Sequence, residues 1–317
     1  MALSIILLII GFVLLVKGAD IFVSGASSIA QNFKISKIII GLTIVAFGTS
    51  APELAVSIKG ILSGSSEIVL GNVVGSNILN ILLILGMSSI FGKMSVKDNT
   101  VKKEIPLTIL FSILLMMVSF DNMFNNKVTN VITKNDGIII LLFFVIFIYY
   151  LIAVMKNDRK KEKEKPNYNL FYSILFTGIG LAGVIIGSNF VVDNAVNIAK
   201  LMHVSEKMIS LTIVALGTSL PELVTSVEAS RKGENDIAIG NIIGSNIFNI
   251  GVVIGIPSAI IGNINVGIFN YIDMFVMIIS AILLFVLTVK DRNLDKKNGI
   301  VMLMIFIIYY SYVIIGG

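Results

Sequence analysis

The stretch GLTIVAFGTSAPELAVS, residues 41–57, places a proline and a carboxylate inside a long apolar run. Nearly the same text returns as SLTIVALGTSLPELVTS at residues 210–226. Proline has no N–H and its ring clashes with the carbonyl four residues earlier, so Pro52 predicts a helix break beside Glu53. Within a bilayer such a break persists only where it is buried or lines a cavity. The stretch therefore predicts a functional break in a buried helix.

The composition indicates an integral membrane protein. Of the 317 residues, 56% are hydrophobic and the mean hydropathy is +0.96. Charged residues make up 14% of the chain, against about 25% in soluble proteins. The chain has no cysteine, which excludes disulfides and thiol-based metal or redox chemistry.

Ten stretches are apolar and long enough to cross a bilayer, which takes about 20 residues. They lie at 2–30, 37–62, 67–92, 104–120, 136–155, 169–199, 206–230, 236–261, 266–289 and 298–315. Lys17 and Asp20 are one helical turn apart in the first stretch. We expect them to form an ion pair or a snorkelling couple, with a gating role as the alternative.

The positive charges set the orientation of these spans. With the N-terminus outside, the inward loops hold 18 lysines and arginines and the outward loops hold 5. This bias predicts a multi-pass membrane protein with both termini extracellular. The compact chain is rich in lysine and isoleucine, which is typical of a prokaryotic protein, and we therefore expect it in the cell (plasma) membrane. It also accounts for the net charge of +5, so no nucleic-acid partner is predicted.

The two similar stretches belong to an internal repeat that aligns without a gap, with Glu53 matching Glu222 and Gly86 matching Gly255. Residues 41–86 and 210–255 share 23 identities in 46 aligned pairs. Each copy holds five spans, an odd number, so the second copy is inverted in the membrane, an architecture found in secondary transporters. We predict an all-α integral membrane protein of ten transmembrane helices, as two inverted five-helix repeats with broken helices at the midplane. The repeats are 1–155 and 169–317, joined by a short charged cytoplasmic linker at 156–168.

Oxygen-bearing side chains gather at each break and in the span that follows it. Glu53 lies four residues after Thr49 and three after Ser50, so the three share one side of a helix. The second copy repeats this set, and polar stripes follow in both copies: Asn72, Ser76 and Asn80, then Asn241, Ser245 and Asn249. Such hard oxygen donors suit Ca²⁺ and Na⁺ and do not suit soft transition metals. Asn77 and Asn246 lie off the stripes and are expected to hold helices together.

These motifs resemble the sodium/calcium exchanger family of the calcium:cation antiporter superfamily, in its prokaryotic type. The resemblance rests on GTSAPEL with GNVVGSNILN in the first half and GTSLPEL with GNIIGSNIFN in the second. It implies a secondary active antiporter, not an enzyme, which exchanges Na⁺ for Ca²⁺ by alternating access as spans 1 and 6 slide across the bundle. It also implies no cofactor beyond the transported ions, the lipid bilayer as surroundings and no obligatory protein partner.

The resemblance also assigns roles to single residues. Glu53 and Glu222 would be acidic ligands shared by Ca²⁺ and Na⁺, and backbone carbonyls around Thr49 and Thr218 would complete the Ca²⁺ shell. The flanking Na⁺ sites would be lined by the hydroxyls of Ser50, Ser76, Ser219 and Ser245, with carbonyls near Ala46 and Ala215.

Asn80 and Asn249 match the central amide or acid positions of the family. In the family an aspartate at the position of Asn249 accompanies potassium-dependent exchange. The asparagine here therefore favours potassium-independent exchange, which would move net charge.

Other functions remain open at the level of sequence. A Ca²⁺/H⁺ antiporter of the same superfamily would carry an acid where this chain has Gly75 and Gly244. An antiporter for another divalent cation is a further alternative. A channel would need no inverted repeat, and an intramembrane enzyme could use two buried carboxylates as an acid/base pair.

Overall fold

The computed structural model describes residues 2–62, 67–120, 130–158, 165–203, 215–262, 264–266 and 271–315, and most of them are helical. Among these residues seven helices are long and apolar enough to cross a membrane, or up to eight if a bent pair of helices counts as one span. Two of the ten predicted spans fall short for identifiable reasons. Helix 105–119 has only 15 residues, and residues 206–214 of the seventh predicted span, 206–230, lie outside the described part.

The helices of the first half follow the predicted spans closely. They are α1 (Ala2–Phe33), α2 (Lys37–Ile40), α3 (Ala46–Thr49), α4 (Ala51–Leu62), α5 (Glu67–Leu79), α6 (Gly86–Phe91), α7 (Ile105–Ser119) and α8 (Lys134–Asp158). Three π-helical segments interrupt them, at Gly41–Val45, Asn80–Leu85 and Thr100–Glu104.

The second half repeats much of this order. Its described helices are α9 (Leu170–Leu201), α10 (Ala215–Gly217), α11 (Leu220–Arg231), α12 (Asn235–Phe248), α13 (Gly255–Ile261), α14 (Tyr271–Val289) and α15 (Lys296–Ile315). A π-helical segment at Asn249–Ile254 is the counterpart, in the second copy of the repeat, of the one at Asn80–Leu85.

Two short antiparallel strand pairs join loops of the two halves. Strand β1 (Met94–Ser95) pairs with β4 (Asn293–Leu294), and β2 (Val131–Ile132) pairs with β3 (Ile264–Asn265). The first pair joins two loops predicted to face inward, and the second joins two loops predicted to face outward.

The centre of the molecule is formed by the helices that carry the predicted polar stripes. The membrane-length window within Asn235–Ile261 is 100% buried, and that within Val69–Phe91 is 78% buried. The corresponding window in α1 is only 28% buried, and that in α15 only 11%. The stripes are therefore shielded from lipid, whereas α1 and α15 face it.

Helices α1 and α9 cross with their backbones in contact, because glycines line the crossing. A Cβ atom added to Gly18 would lie 2.7 Å from the backbone N of Val184, and one added to Gly187 would lie 2.5 Å from the N of Leu15. Gly18 and Gly187 are themselves equivalent positions in the two copies of the repeat. Small residues allow such close helix approach in membranes.

Candidate functional site

The helix break predicted at Pro52 is present in the structure. The segments Lys37–Thr49 and Ala51–Leu62 meet at an angle of 44°, with Ser50 between them at φ −84° and ψ 6°. Ser219, the equivalent residue of the second half, has φ −89° and ψ 5°. The same turn therefore places Glu53 and Glu222 in the first turns of α4 and α11.

The two carboxylates belong to one site to which both halves contribute. Glu53 and Glu222 are 0% and 1% exposed. The Ser50 hydroxyl donates to Oε1 of Glu222 at 3.0 Å, across the two halves. On the other side, the Ser76 hydroxyl donates to Oε1 of Glu53 at 3.4 Å and accepts from the Ser219 hydroxyl at 3.2 Å.

The threonines of the motif also lie at this junction. The Thr49 hydroxyl is 3.0 Å from Oδ1 of Asn241 and 3.1 Å from the Val45 carbonyl, and the Thr218 side chain interacts with the carboxylate of Glu53. The Ala46 carbonyl accepts the Ser50 N–H at 3.0 Å. Ala215 begins α10, and only its backbone is described.

Several oxygens at this junction are buried without a hydrogen-bond partner. Among the described residues ten buried side-chain atoms lack such a partner. Half of them belong to the predicted site: Oε2 of Glu53, Oε2 of Glu222, Oδ1 of Asn80, Oδ1 of Asn249 and Oγ of Ser245. Because an orphaned buried oxygen is costly, their concentration at one place indicates a site built for a cationic ligand.

A reciprocal set of amide contacts holds the two central helices together. Nδ2 of Asn77 donates to the Asn246 carbonyl at 3.2 Å, and Nδ2 of Asn246 donates to the Asn77 carbonyl at 3.3 Å. Nδ2 of Asn80 donates to Oδ1 of Asn246 at 2.9 Å, and Nδ2 of Asn249 donates to Oδ1 of Asn77 at 3.1 Å. The connecting role predicted for Asn77 and Asn246 is confirmed.

The structure adds a residue that sequence reasoning missed. Pro221 cannot donate to the carbonyl of Gly217, and the Ser188 hydroxyl of α9 bonds that oxygen at 3.1 Å instead. The partner of this carbonyl is thus a hydroxyl. The only signal in the sequence is Ser188 itself, which is followed directly by Asn189 in α9, and the equivalent residue of α1 is Ala19.

Asn72 and Asn241 have a supporting role in the structure. Nδ2 of Asn72 donates to the Glu53 carbonyl at 3.2 Å and to the Ser57 hydroxyl at 3.3 Å. Nδ2 of Asn241 donates to the Ser226 hydroxyl at 2.9 Å. These bonds tie each polar stripe to the helix that carries the glutamate of the same half.

The expected pairing of Lys17 with Asp20 is wrong. Asp20 forms its ion pair with Lys232, whose Nζ also donates to the Asp20 carbonyl and to the Ser24 hydroxyl, both at 2.7 Å. We call these contacts of Lys232 with α1 the inner clasp. A tertiary partner outcompetes Lys17 because the loop after α11 lies directly against α1.

Comparisons with known proteins agree with the motifs. The family model described as sodium/calcium exchanger protein matches residues 3–153 and 172–315. The chain is 37% identical over 270 residues to inner membrane protein YrbG of Escherichia coli, covering 82% of this chain and 81% of that one. It is 30% identical over 338 residues to sodium/calcium exchanger MaX1 of Methanosarcina acetivorans, covering 96% of each. A solved structure of the sodium-calcium exchanger NCX_Mj, soaked with 10 mM Na⁺ and 10 mM Sr²⁺, superposes with a TM-score of 0.84 at 34% identity over 98% of both chains.

Proposed function

The chain belongs to the sodium/calcium exchanger family, and from this premise we propose that it exchanges Na⁺ for Ca²⁺ across the cell membrane by alternating access. The observation that carries the proposal is the set of unpartnered buried oxygens of Glu53, Glu222, Asn80, Asn249 and Ser245. Four of them form two pairs of equivalent positions in the internal repeat. Carboxylate and amide oxygens are the ligands that Ca²⁺ prefers.

We propose the same ion ligands that the resemblance to the family implies. Glu53 and Glu222 bind both ions, and the carbonyls around Thr49 and Thr218 complete the Ca²⁺ shell. The amides of Asn80 and Asn249 lie at the centre. The flanking Na⁺ sites use the hydroxyls of Ser50, Ser76, Ser219 and Ser245 and the carbonyls near Ala46 and Ala215.

The charge of the site accounts for coupled exchange. Two ionised glutamates carry a charge of about −2, and burying uncompensated charge is expensive. One Ca²⁺, or two or more Na⁺, neutralises the two glutamates. Neutralisation lowers the free-energy cost of enclosing the site between apolar helices. Because both ions need Glu53 and Glu222, they compete for one site. Exchange of three Na⁺ for one Ca²⁺ would be electrogenic, and the amide of Asn249 in place of a carboxylate favours independence from K⁺.

We further propose the complete ten-helix architecture of two inverted repeats, 1–155 and 169–317, with α1 and α9 as the sliding helices. Contacts that recur at equivalent positions of the two halves support it. The amide of Asn72 bonds Ser57, as that of Asn241 bonds Ser226. On α6 and α13, the equivalent serines Ser89 and Ser258 each pack against a glycine of α15 and α8, Gly299 and Gly137 respectively, although these two glycines are not equivalent positions of the repeat. The charge bias places both termini outside, with the 156–168 linker in the cytoplasm.

The test is uptake of ⁴⁵Ca²⁺ into proteoliposomes loaded with Na⁺ and diluted into Na⁺-free medium, with K⁺ or a proton gradient in parallel. We expect uptake that needs internal Na⁺ and is lost in Glu53→Gln, because the variant removes a charge that both ions require. Glu228→Gln is the matched control, since Glu228 lies on the same helix as Glu222 but pairs with Arg231 at 3.5 Å. Uptake driven by the proton gradient alone would instead indicate a Ca²⁺/H⁺ antiporter.

A further inference from the structure

A groove lies beside the two helix breaks. Its volume is about 410 Å³, and it lies between α9 and the segments around both prolines. The residues along it are Ala51, Pro52, Ala55, Val56, Ile185, Ser188, Asn189, Val192, Asp193, Gly217 and Thr218. The exposed carboxylate of Asp193 thus lines the same groove as Thr218, whose side chain interacts with Glu53.

The position of Asp193 along α9 indicates the face on which the groove opens. Leu170 is the first residue of this helix, and Asp193 lies in its last third. At 1.5 Å per residue the two are about 35 Å apart along the helix axis, enough to cross the hydrocarbon core. Leu170 follows the charged linker that is predicted to be cytoplasmic. The groove therefore opens on the outer face in the proposed topology.

The equivalent place on α1 is occupied by Lys232. The internal repeat maps Asn189 onto Asp20 and Asp193 onto Ser24, and both of these α1 residues are held by Lys232 in the inner clasp. No ion pair involves Asp193 among the residues that the structure describes. Among the described residues, one face therefore presents a carboxylate without an ion pair in a groove, while the related face has a lysine in that place.

We propose that Asp193 captures cations at the outer mouth and raises their concentration beside Thr218, favouring Ca²⁺ over Na⁺. A carboxylate in a cleft with apolar walls focuses its field along the cleft and concentrates ions of opposite charge. Because the Boltzmann factor of a divalent ion is the square of that of a monovalent ion, the same potential enriches Ca²⁺ more. Asn189, one turn earlier, offers an amide oxygen to the same ion. This inference rests on the proposed exchange function.

The first test compares Asp193→Asn with the unchanged chain in right-side-out and everted vesicles. At low ionic strength we expect the half-saturating Ca²⁺ concentration at the outer face to rise about four-fold and that of Na⁺ about two-fold. The change for Ca²⁺ is the square of the change for Na⁺, because Ca²⁺ carries twice the charge in the same electrostatic potential. The maximal rate and the half-saturation at the inner face should stay unchanged. High concentrations of an inert salt should abolish the difference, because the Debye length falls to about 3 Å at 1 M.

The second test varies the charge at one position in one protein. The chain has no cysteine, so Asp193→Cys introduces a single thiol that membrane-impermeant thiosulfonates can modify. An anionic adduct should restore the low half-saturation for outer Ca²⁺, and a cationic adduct should raise it above that of the unmodified variant. Asn189→Asp, which adds a carboxylate to the same groove, should lower it below that of the unchanged chain.

These outcomes separate the inference from the function on which it rests. If the unchanged chain shows no Na⁺-dependent Ca²⁺ uptake, the proposed function fails. If it exchanges normally but Asp193→Asn and the charged adducts leave outer half-saturation unaltered, the role of Asp193 is refuted. The role is also refuted by equal changes at both faces, by a change confined to the inner face, or by a lower maximal rate alone.

Discussion

At the scale of single residues, hydrogen bonds from hydroxyl groups decide which oxygens of the proposed ion site remain without a partner. Ser50 and Ser76 each donate to one oxygen of a glutamate and leave the other without a partner. The amide nitrogens of Asn80 and Asn249 are likewise engaged by asparagines, while their Oδ1 atoms are not. Hydrogen bonding thus orients the acceptors and keeps part of their capacity for a cation.

Ser188 offers a test of what holds the second break together. We expect Ser188→Ala to destabilise the protein by about 1–3 kcal/mol, the usual cost of a buried group that loses its partner. Here the orphaned group would be the carbonyl of Gly217. The measurement is the midpoint of thermal unfolding in detergent. The control is the reverse change at the equivalent residue of α1, Ala19→Ser. An unaltered midpoint in Ser188→Ala would show that another group bonds the carbonyl of Gly217.

Much of the site could be predicted at this scale, because its residues lie close together in two repeated motifs. The break, the two glutamates and the polar stripes all follow from local spacing. Ser188 could not be predicted, because 29 residues separate it from Gly217 and only the packing of α9 brings them together. The pairing of Asp20 with Lys232, 212 residues apart, was missed for the same reason.

At the scale of elements, hydropathy predicted the long helices well and left the connections undetermined. Helix α1 covers the predicted span 2–30, and α9 covers 169–199 almost to the residue. The four short strands carry no comparable signal, since each pairs with a segment in the other half of the chain. The π-helical segments after Leu79 and Phe248 were also not predicted, because the apolar pattern there is continuous.

The glycine-lined crossing of α1 and α9 should be sensitive to a single methyl group. In Gly18→Ala the new Cβ would lie 2.7 Å from the Val184 N, 2.8 Å from the Gly183 carbonyl carbon and 2.9 Å from the Gly180 O. Because all three atoms belong to backbone, the helices must separate, and we expect a cost of about 1–3 kcal/mol. Thermal unfolding and the rate of exchange should both fall.

Gly178→Ala is the matched control for this crossing. Gly178 lies on α9 itself, and a methyl group there would meet nothing within 4 Å. Alanine also favours helix over glycine by about 1 kcal/mol, so this variant should be at least as stable as the unchanged chain. If Gly18→Ala proved equally harmless, the two helices would not be held at backbone contact.

At the scale of the whole molecule, the described parts of the two faces differ, as the proposed alternating access requires of one conformation of its cycle. The groove beside Asp193 is open towards the helix breaks. On the opposite face, the loop after α11 is tied to α1 through the inner clasp. Glu234 strengthens this closure, since its carboxylate accepts from the Ser27 hydroxyl at 2.8 Å and pairs with Lys37 at 3.0 Å. In the part of the chain that the structure describes, a groove thus lies towards the outer side of the proposed topology, and the helices are tied together at the inner side.

Breaking the inner clasp should therefore shift the equilibrium between the outward-open and the inward-open conformation. Lys232→Gln removes the ion pair with Asp20, and a partly exposed ion pair contributes about 0–1 kcal/mol. A loss of that size changes the ratio of outward-open to inward-open protein by up to about five-fold. An apparent dissociation constant scales inversely with the fraction of binding-competent protein. We expect Ca²⁺ half-saturation to rise at the outer face and to fall at the inner face, measured in vesicles of each orientation.

Arg231→Gln separates this effect from a general loss of positive charge at the same loop. Arg231 pairs with Glu228 of its own helix at 3.5 Å, so its loss should leave the half-saturation at both faces unchanged. Opposite shifts at the two faces in Lys232→Gln alone would indicate that the clasp holds the outward-open conformation. Parallel shifts at both faces would mean that Lys232 acts on the ion site itself, and the difference between the faces would then need another cause.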